Sequence, residues 1–569
     1  MEPSLRNELL SVARGECPAE LVLKHATIVD VCTESLYTGD IAVHKGYIAG
    51  VGEYEGVQQE DFTGKYVAPG FIDAHVHIES TMVSPSIFAS RVLPHGTTAI
   101  VADPHEIVNV CGARGLDYML ENAKGAPVDI FFMLPSCVPL SPLEHNGARY
   151  TAEEMKRHRD NPRVLGLGEA MDYISVIDGA PELYEKIDLL RDKVIDGHSP
   201  MVGGKPLQAY RLGGVQTDHE CSTYGEALER LRAGMYVQVR EGSAARNLTD
   251  IITGAVKDGI SCDRFLFCTD DKHLEDVASK GHIDYNIRRA VACGLSPITA
   301  IKIASLNAAR VYGLNDRGMV AAGMKADLVV LSDLPSLTIE RVYKDGRRVD
   351  GAAGTPAPAN RGAFPELYRT VHIAPLSEND LRLPLSGSFP VMEMLPGQIL
   401  TKRVDMPLPE ENGCFAPRDG LLKVAVIQRH TASGDVGVGA AKGFGLQNGA
   451  IATTIAHDSH NLIVIGDNDA DMLLAAQELE ACGGGCTVVS GGRVLHTLSL
   501  PVAGLFTDDP ADDVEAGLRE ILRISRSLGV KDGFDPVINL SFMALTVIPE
   551  LRLTDIGLFD VLENKLLSF

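Results

Sequence analysis

The 569-residue sequence has no tryptophan, no surplus of positive charge, no long apolar run and no even, clustered set of cysteines. Lys and Arg number 52 against 76 Asp and Glu, a net charge of −24. A surface that acidic repels phosphates, which excludes broad binding to a nucleic-acid backbone. No stretch reaches the about 20 consecutive apolar residues that a bilayer span needs. The first residues, MEPSLRNELLSVARGECPAE, lack the apolar core of a secretory signal. The eleven cysteines are scattered and odd in number, which speaks for reduced thiols and against a disulfide framework. A cytoplasmic protein is therefore expected. Cys482 and Cys486 flank three glycines, but no second pair lies near them, so a glycine turn is expected there and not zinc.

What remains is the composition of a folded enzyme, 45% hydrophobic and 22% charged, in a chain long enough for several structural units. Residues 19–67 read as short β segments punctuated by Gly and Asp. From about 70 to 310, apolar runs such as TTAIVAD, VDIFFML, RVLGLGEA, MYVQVREG and FLFCTDD alternate with helical stretches such as GEALERLRAG. Strand and helix in alternation imply parallel βαβ units, and this length suits a (β/α)8 TIM-like barrel. KADLVVLSDLPSLTIERVYKDGRRVD returns to the β texture of residues 19–67. The expected α/β organisation is thus a small discontinuous β-sandwich domain (1–67 with 318–352), a barrel (68–317), an Ala/Pro/Gly-rich linker (353–375) and a C-terminal α/β or α+β unit (376–569).

The strongest chemical signal is FIDAHVHIEST. Alternate residues of a strand face the same way, so His75 and His77 project together at the C-terminal end of an early barrel strand. Alone, H-x-H is as often structural; its context is a Pro-Gly turn and an apolar strand. Glu169 ends RVLGLGEA, His198 sits in VIDGHSP, His219 in VQTDHE, and Asp270 closes FLFCTD. One polar residue at a strand end is ordinarily a cap, but five strand ends each delivering a His or carboxylate point to a metal centre.

In order, HVHIEST, GLGEAM, DGHSP, TDHE and TDD resemble the amidohydrolase superfamily, as does the tail ending in GMVAAGMKADLVVL. Within it, IEST, ADPHEIVNV, VREGSAARNL and TDDKHLEDVASKGHIDYNIRRAV resemble the bacterial adenine deaminases, and so does the C-terminal stretch around AHDSHN. Many two-metal amidohydrolases bridge their ions with a carboxylated lysine. The matching strand end, LGLGE, offers Glu169 and no lysine. Adenine deaminases are similar in this, whereas hydantoinase-like enzymes are not.

The resemblance implies that His75, His77 and Asp270 hold one divalent ion, His198 and His219 a second, and that Glu169 bridges them. The ions would be Mn2+ or Fe2+, with Zn2+ fitting the same donors. It further implies that hydroxide held between the ions attacks C6 of adenine, giving hypoxanthine and ammonia. Asp270 would take the proton from the water, and Glu106 would protonate or hydrogen-bond the purine ring. Arg240, Glu241 and Ser243 would line the substrate pocket. His105 and Asp103 share the loop of Glu106 and are candidates to support the site, between which the sequence does not choose. Asp271 should point away, because neighbours on a strand alternate. The His457–Asn461 loop reads as a lid over the barrel mouth, a plain polar loop or a second metal site. A free nucleobase carries no phosphate and is compatible with the charge; a homo-oligomer is expected. Rivals are another amidohydrolase acting on a cyclic amide or amino-heterocycle, and a catalytically silent scaffold.

Overall fold

The computed structural model describes residues 1–243, 245–349, 361–385 and 387–567. Its centre is a ring of eight parallel strands, in arcs of five and three. The first arc runs from Phe71–Val76 through Thr97–Ala102, Asp129–Leu134 and Val164–Ala170 to Val194–Gly197. The second comprises Thr217–Asp218, Tyr236–Arg240 and Phe265–Cys268. The first two strands are buried at every residue, as strands covered on both faces must be. Asp270 N donates to His75 O at 2.9 Å and His77 N to Asp270 O at 3.3 Å, closing last strand onto first. Gln216 N to Ile195 O, at 2.9 Å, spans the seam between the arcs.

Some of the barrel helices start at a side-chain cap. GEALERLRAG forms Tyr224–Arg232, opened by a capping box in which Thr223 accepts Glu226 N while Glu226 reaches back. The strand ends therefore face one way and gather their side chains at the barrel's C-terminal mouth.

Residues 19–69 and 328–348 pair into one eight-stranded sheet, with Val329 opposite Ala68 in antiparallel register. The sheet strand runs to Pro69 and the barrel begins at Phe71. Of the expected linker, residues 353–360 lie outside the described residues. Its remaining part packs onto the barrel: Phe364 and Leu367 are buried, and Arg114 stacks over the Phe364 ring at 4.6 Å.

The C-terminal unit is an eight-stranded sheet built mainly of antiparallel pairs. LLKVAVIQ and NLIVIGD supply Leu421–Ile427 and Leu462–Gly466, packed against helix Asp469–Cys482. Gly483 ends that helix at φ +85 and Cys486 lies in the next strand, so the expected glycine turn is what forms. One apolar cluster runs from the barrel helices into this unit. Among the described residues no helix is long and apolar enough to cross a membrane.

Candidate metal centre

Six side chains from five strand ends meet at the barrel mouth. His75 Nε2 and His77 Nε2 lie 3.2 Å apart, both buried. The His77 Nδ1–H donates to Asp103 O at 3.0 Å, which leaves the Nε2 lone pair facing inward. Glu169 stands between two histidine pairs. Its Oε1 is 2.9 Å from His77 Nε2 and 3.5 Å from His75 Nε2, while its Oε2 is 2.7 Å from His198 Nδ1 and 3.3 Å from His219 Nε2.

The strand before it explains why Glu169 can stand there. Asp103 Oδ2 accepts Glu169 N at 2.9 Å, and a Cβ on Gly168 would lie 2.1 Å from that oxygen. The second glycine of LGLGE makes room for the carboxylate that orients the bridge.

Asp270 adds Oδ1 at 3.2 Å from His77 Nε2 and 3.7 Å from His75 Nε2, and its Oδ2 accepts Arg240 at 2.8 Å. Strand Phe265–Cys268 has already ended, and Asp270 sits in the left-handed region at φ 58. That breaks the alternation, so Asp271 does not point away as expected. It lines the same cavity and accepts a hydrogen bond from Ser80.

The donor set fits cations. Two nitrogens held about 2.1 Å from one ion sit about 3.0–3.4 Å apart at tetrahedral or octahedral angles, matching the 3.2 Å between His75 and His77. Glu169 Oε1 is buried with no hydrogen-bond donor. Burial alone would lower His75, but Asp270 and Glu169 outweigh it and push the ring up to about 10. Burial likewise favours a neutral Glu169, yet His77, His219 and His198 hold it well below the usual carboxylate range. The cluster thus asks for positive charge among its carboxylates.

Glu106 is different. It opens helix His105–Cys111, is 1% exposed, and is raised well above the usual range by burial and then by Glu79 and Asp271. Its Oε1 lies 3.4 Å from His457 Nδ1. His105, also at the mouth, stays neutral because burial and His77 push it down, with Nδ1 3.6 Å from Glu169 Oε1.

The three residues expected in the pocket part company. Arg240 lines it, bonded to Asp270 and to Glu220, whose Oε2 accepts NH2 at 3.0 Å. Glu241 turns the other way and does not line the cavity; its carbonyl accepts Lys272 Nζ at 3.1 Å. Ser243 donates to Asp276 at 2.7 Å and borders a small neighbouring recess with His457 and Phe542. Glu220 was missed, although it directly follows His219 and lies 3.5 Å from its Nε2.

The cavity above the cluster holds about 390 Å3. His457 and Asp458 form part of its wall, fixed in a buried loop where Asn461 Nδ2 donates to His145 O at 2.9 Å. Glu106, His457 and His460 also converge. Of these, Glu106 and His457 line the cavity and His460 does not; His460 Nδ1 accepts Ala456 N at 3.3 Å. Ile399, Leu400, Phe542, Val547, Ile548 and Pro549, all from the C-terminal unit, complete the wall, and nothing in the sequence marked them.

Residues 66–349 match the amidohydrolase family, and residues 398–565 match the adenine deaminase C-terminal domain. An adenine deaminase of Desulfitobacterium hafniense is 46% identical over 563 residues, covering 99% of this chain and 98% of its own. One of Nitratidesulfovibrio vulgaris (strain Hildenborough) is 47% identical over 564 residues, covering 98% and 97%. A solved adenine deaminase superposes with a TM-score of 0.45 at 14% identity, over 58% of this chain and all of that one. With relatives of this identity along nearly its whole length, the chain belongs to the adenine deaminase family within the metal-dependent amidohydrolases.

Proposed function

We propose that the protein hydrolyses adenine to hypoxanthine and ammonia at the cluster built on Glu169. The observation that carries this reading is the division of that carboxylate, one oxygen 2.9 Å from His77 and the other 2.7 Å from His198. A carboxylate shared in this way suits two cations side by side, one on His75, His77 and Asp270, the other on His198 and His219. Mn2+ or Fe2+ are the ions we favour, and Zn2+ would accept the same donors. When bound, such ions lower the pKa of water towards about 7 and so supply a nucleophile at neutral pH.

The chain's own groups handle the protons. Asp270 is ionised, because Arg240 with His75 and His77 outweighs the burial that would neutralise it. It sits where it can accept a proton from the attacking water. Glu106, held protonated, offers its proton to a ring nitrogen as C6 becomes tetrahedral. Nitrogen leaves poorly unless protonated, so the proton taken by Asp270 goes on to the exocyclic amino group, and the hydroxyl proton released as the C6 carbonyl forms returns to Glu106. Arg240 orients Asp270 and Glu220, and the apolar wall excludes water from a flat base. Glu241 and Ser243 support this site from outside the cavity. We place the enzyme in the cytoplasm, acting on the free base without a nucleic-acid or membrane partner, as a homo-oligomer.

Ammonia release from adenine, by metal-free protein and by protein loaded with Mn2+, tests the reading. Metal-dependent formation of hypoxanthine is expected. No turnover with two ions bound would overturn the substrate, and failure to bind ions would overturn the centre.

A further inference from the structure

Behind the apolar wall lies an arginine with an unusual environment. Arg552 is fully buried in strand Leu551–Leu553. Two buried arginines near the barrel mouth face carboxylates: Arg230 donates to Asp218 at 2.9 Å and Arg240 to Asp270 at 2.8 Å. Arg552 has none among the described residues. Its NH2 donates to Ile399 O and Pro549 O, both at 3.0 Å, and its NH1 to Thr401 Oγ1 at 3.1 Å and Leu551 O at 3.2 Å. Burial without a counter-charge pushes the guanidinium down to about 9.

Those acceptors belong to the two segments that carry the wall. Ile399 and Leu400 precede Thr401, while Val547, Ile548 and Pro549 precede Glu550, and all five line the cavity. The segments are also joined directly, with Glu550 N donating to Thr401 O at 3.0 Å. An apolar side chain could fill the space of Arg552 without the desolvation that a buried charge entails. What the guanidinium adds is a rigid planar fork that fixes several carbonyls relative to one another. Arg429 repeats the device: fully buried with no carboxylate among the described residues, it donates to His460 O, in the loop that carries His457 and Asp458, and at 2.9 Å to Ala503 O.

We propose that Arg552 is a positioning residue for the substrate, clasping the 399–401 and 549–551 main chain so that the apolar wall meets the flat face of the base. The inference rests on the adenine reading above and adds to it the source of the base's apolar contact, a clasp remote from the metal ligands.

The test compares Arg552→Lys and Ile548→Ala with the wild-type chain, all loaded with Mn2+, by metal content, melting midpoint, and KM and kcat for adenine. Lysine keeps the charge but has no fork; the second variant trims the wall and leaves the clasp. Both should retain two ions per chain and raise KM about tenfold, the scale of a lost apolar pocket contact, with kcat nearly unchanged. An unchanged KM in Arg552→Lys overturns the inference. So does a parallel loss of kcat, metal and melting midpoint, which marks a merely structural residue. If Arg552→Lys does not fold, Ile548→Ala decides, and a wild-type KM there overturns the proposal. A wild-type chain inactive on adenine removes the functional reading and this inference with it; an active one with both variants at wild-type KM removes the inference alone.

Discussion

Glu169 and Glu106 are buried carboxyl groups in one cavity, and their neighbours drive them apart. Glu169 is held ionised by His77, His219 and His198 against the effect of burial. Glu106 is held neutral by burial, with Glu79 and Asp271 adding to it. Groups whose environments separate their pKa values in this way are suited to different tasks. Replacing Glu169 with Gln removes the shared negative charge, so metal content and turnover should fall together; unchanged metal by elemental analysis would refute the bridge. Glu106→Gln should keep both ions and depress turnover by about 10²–10⁴. The raised pKa sets the sign of the pH effect. Glu106 carries its proton below that pKa and loses it above, so kcat/KM for the wild type should decline on the alkaline side. The variant should lack that limb, and an identical profile would exclude Glu106 as the group responsible.

Strand ends made most of the centre legible, because a barrel presents the last residue of each strand at one mouth. That geometry is why His75, His77, Glu169, His198, His219 and Asp270 could be picked from sequence and why they meet within hydrogen-bonding reach of Glu169 or of one another. Alternation failed one residue further on. Past Cys268 the chain is no longer a strand, and the left-handed Asp270 lets Asp271 turn into the cavity as well. Glu241 failed for another reason: VREGSA reads as a pocket motif, whereas Arg240 is the last residue of its strand and the buried residue after it does not line the cavity. The apolar wall was illegible because Ile548 and Leu400 look like any core residue until the C-terminal unit is folded against the barrel. Gly168 shows how much one element's backbone contributes. In Gly168→Ala the new Cβ would meet Asp103 Oδ2 at 2.1 Å and displace it from Glu169 N. Disturbing a group that orients a metal ligand typically costs about 10–100-fold in metal affinity. Metal titration of this variant should show that weakening with circular dichroism unchanged; wild-type affinity would mean that Asp103 does not orient the bridge.

At the scale of the whole molecule, the catalytic mouth and the joint with the small sheet lie at opposite ends of the barrel strands. Asp129 begins the third strand, at the end remote from the metal cluster. Its Oδ2 accepts Arg317 at 2.8 Å, Lys325 at 2.9 Å and Lys344 at 3.0 Å, the last from sheet strand Thr338–Lys344. Burial alone would raise this carboxyl, but Lys344, Arg317 and Lys325 hold it well below the usual range. A carboxyl depressed in the folded state contributes stability that is fully present above its unfolded pKa, about 3.9. That contribution is lost as pH falls through the folded value. Asp129→Asn leaves three partly buried cations short of a counter-charge and should cost about 3 kcal/mol near neutral pH. Urea unfolding of both proteins should therefore show a constant difference from about pH 8 to pH 5 that narrows below about pH 4. Because the joint is far from Glu169, kcat and metal content of the folded variant should match the wild type at neutral pH. A difference that stays flat into acid would show that the carboxylate charge is not what holds barrel and sheet together, and a loss of bound metal would show that the two ends of the barrel are coupled.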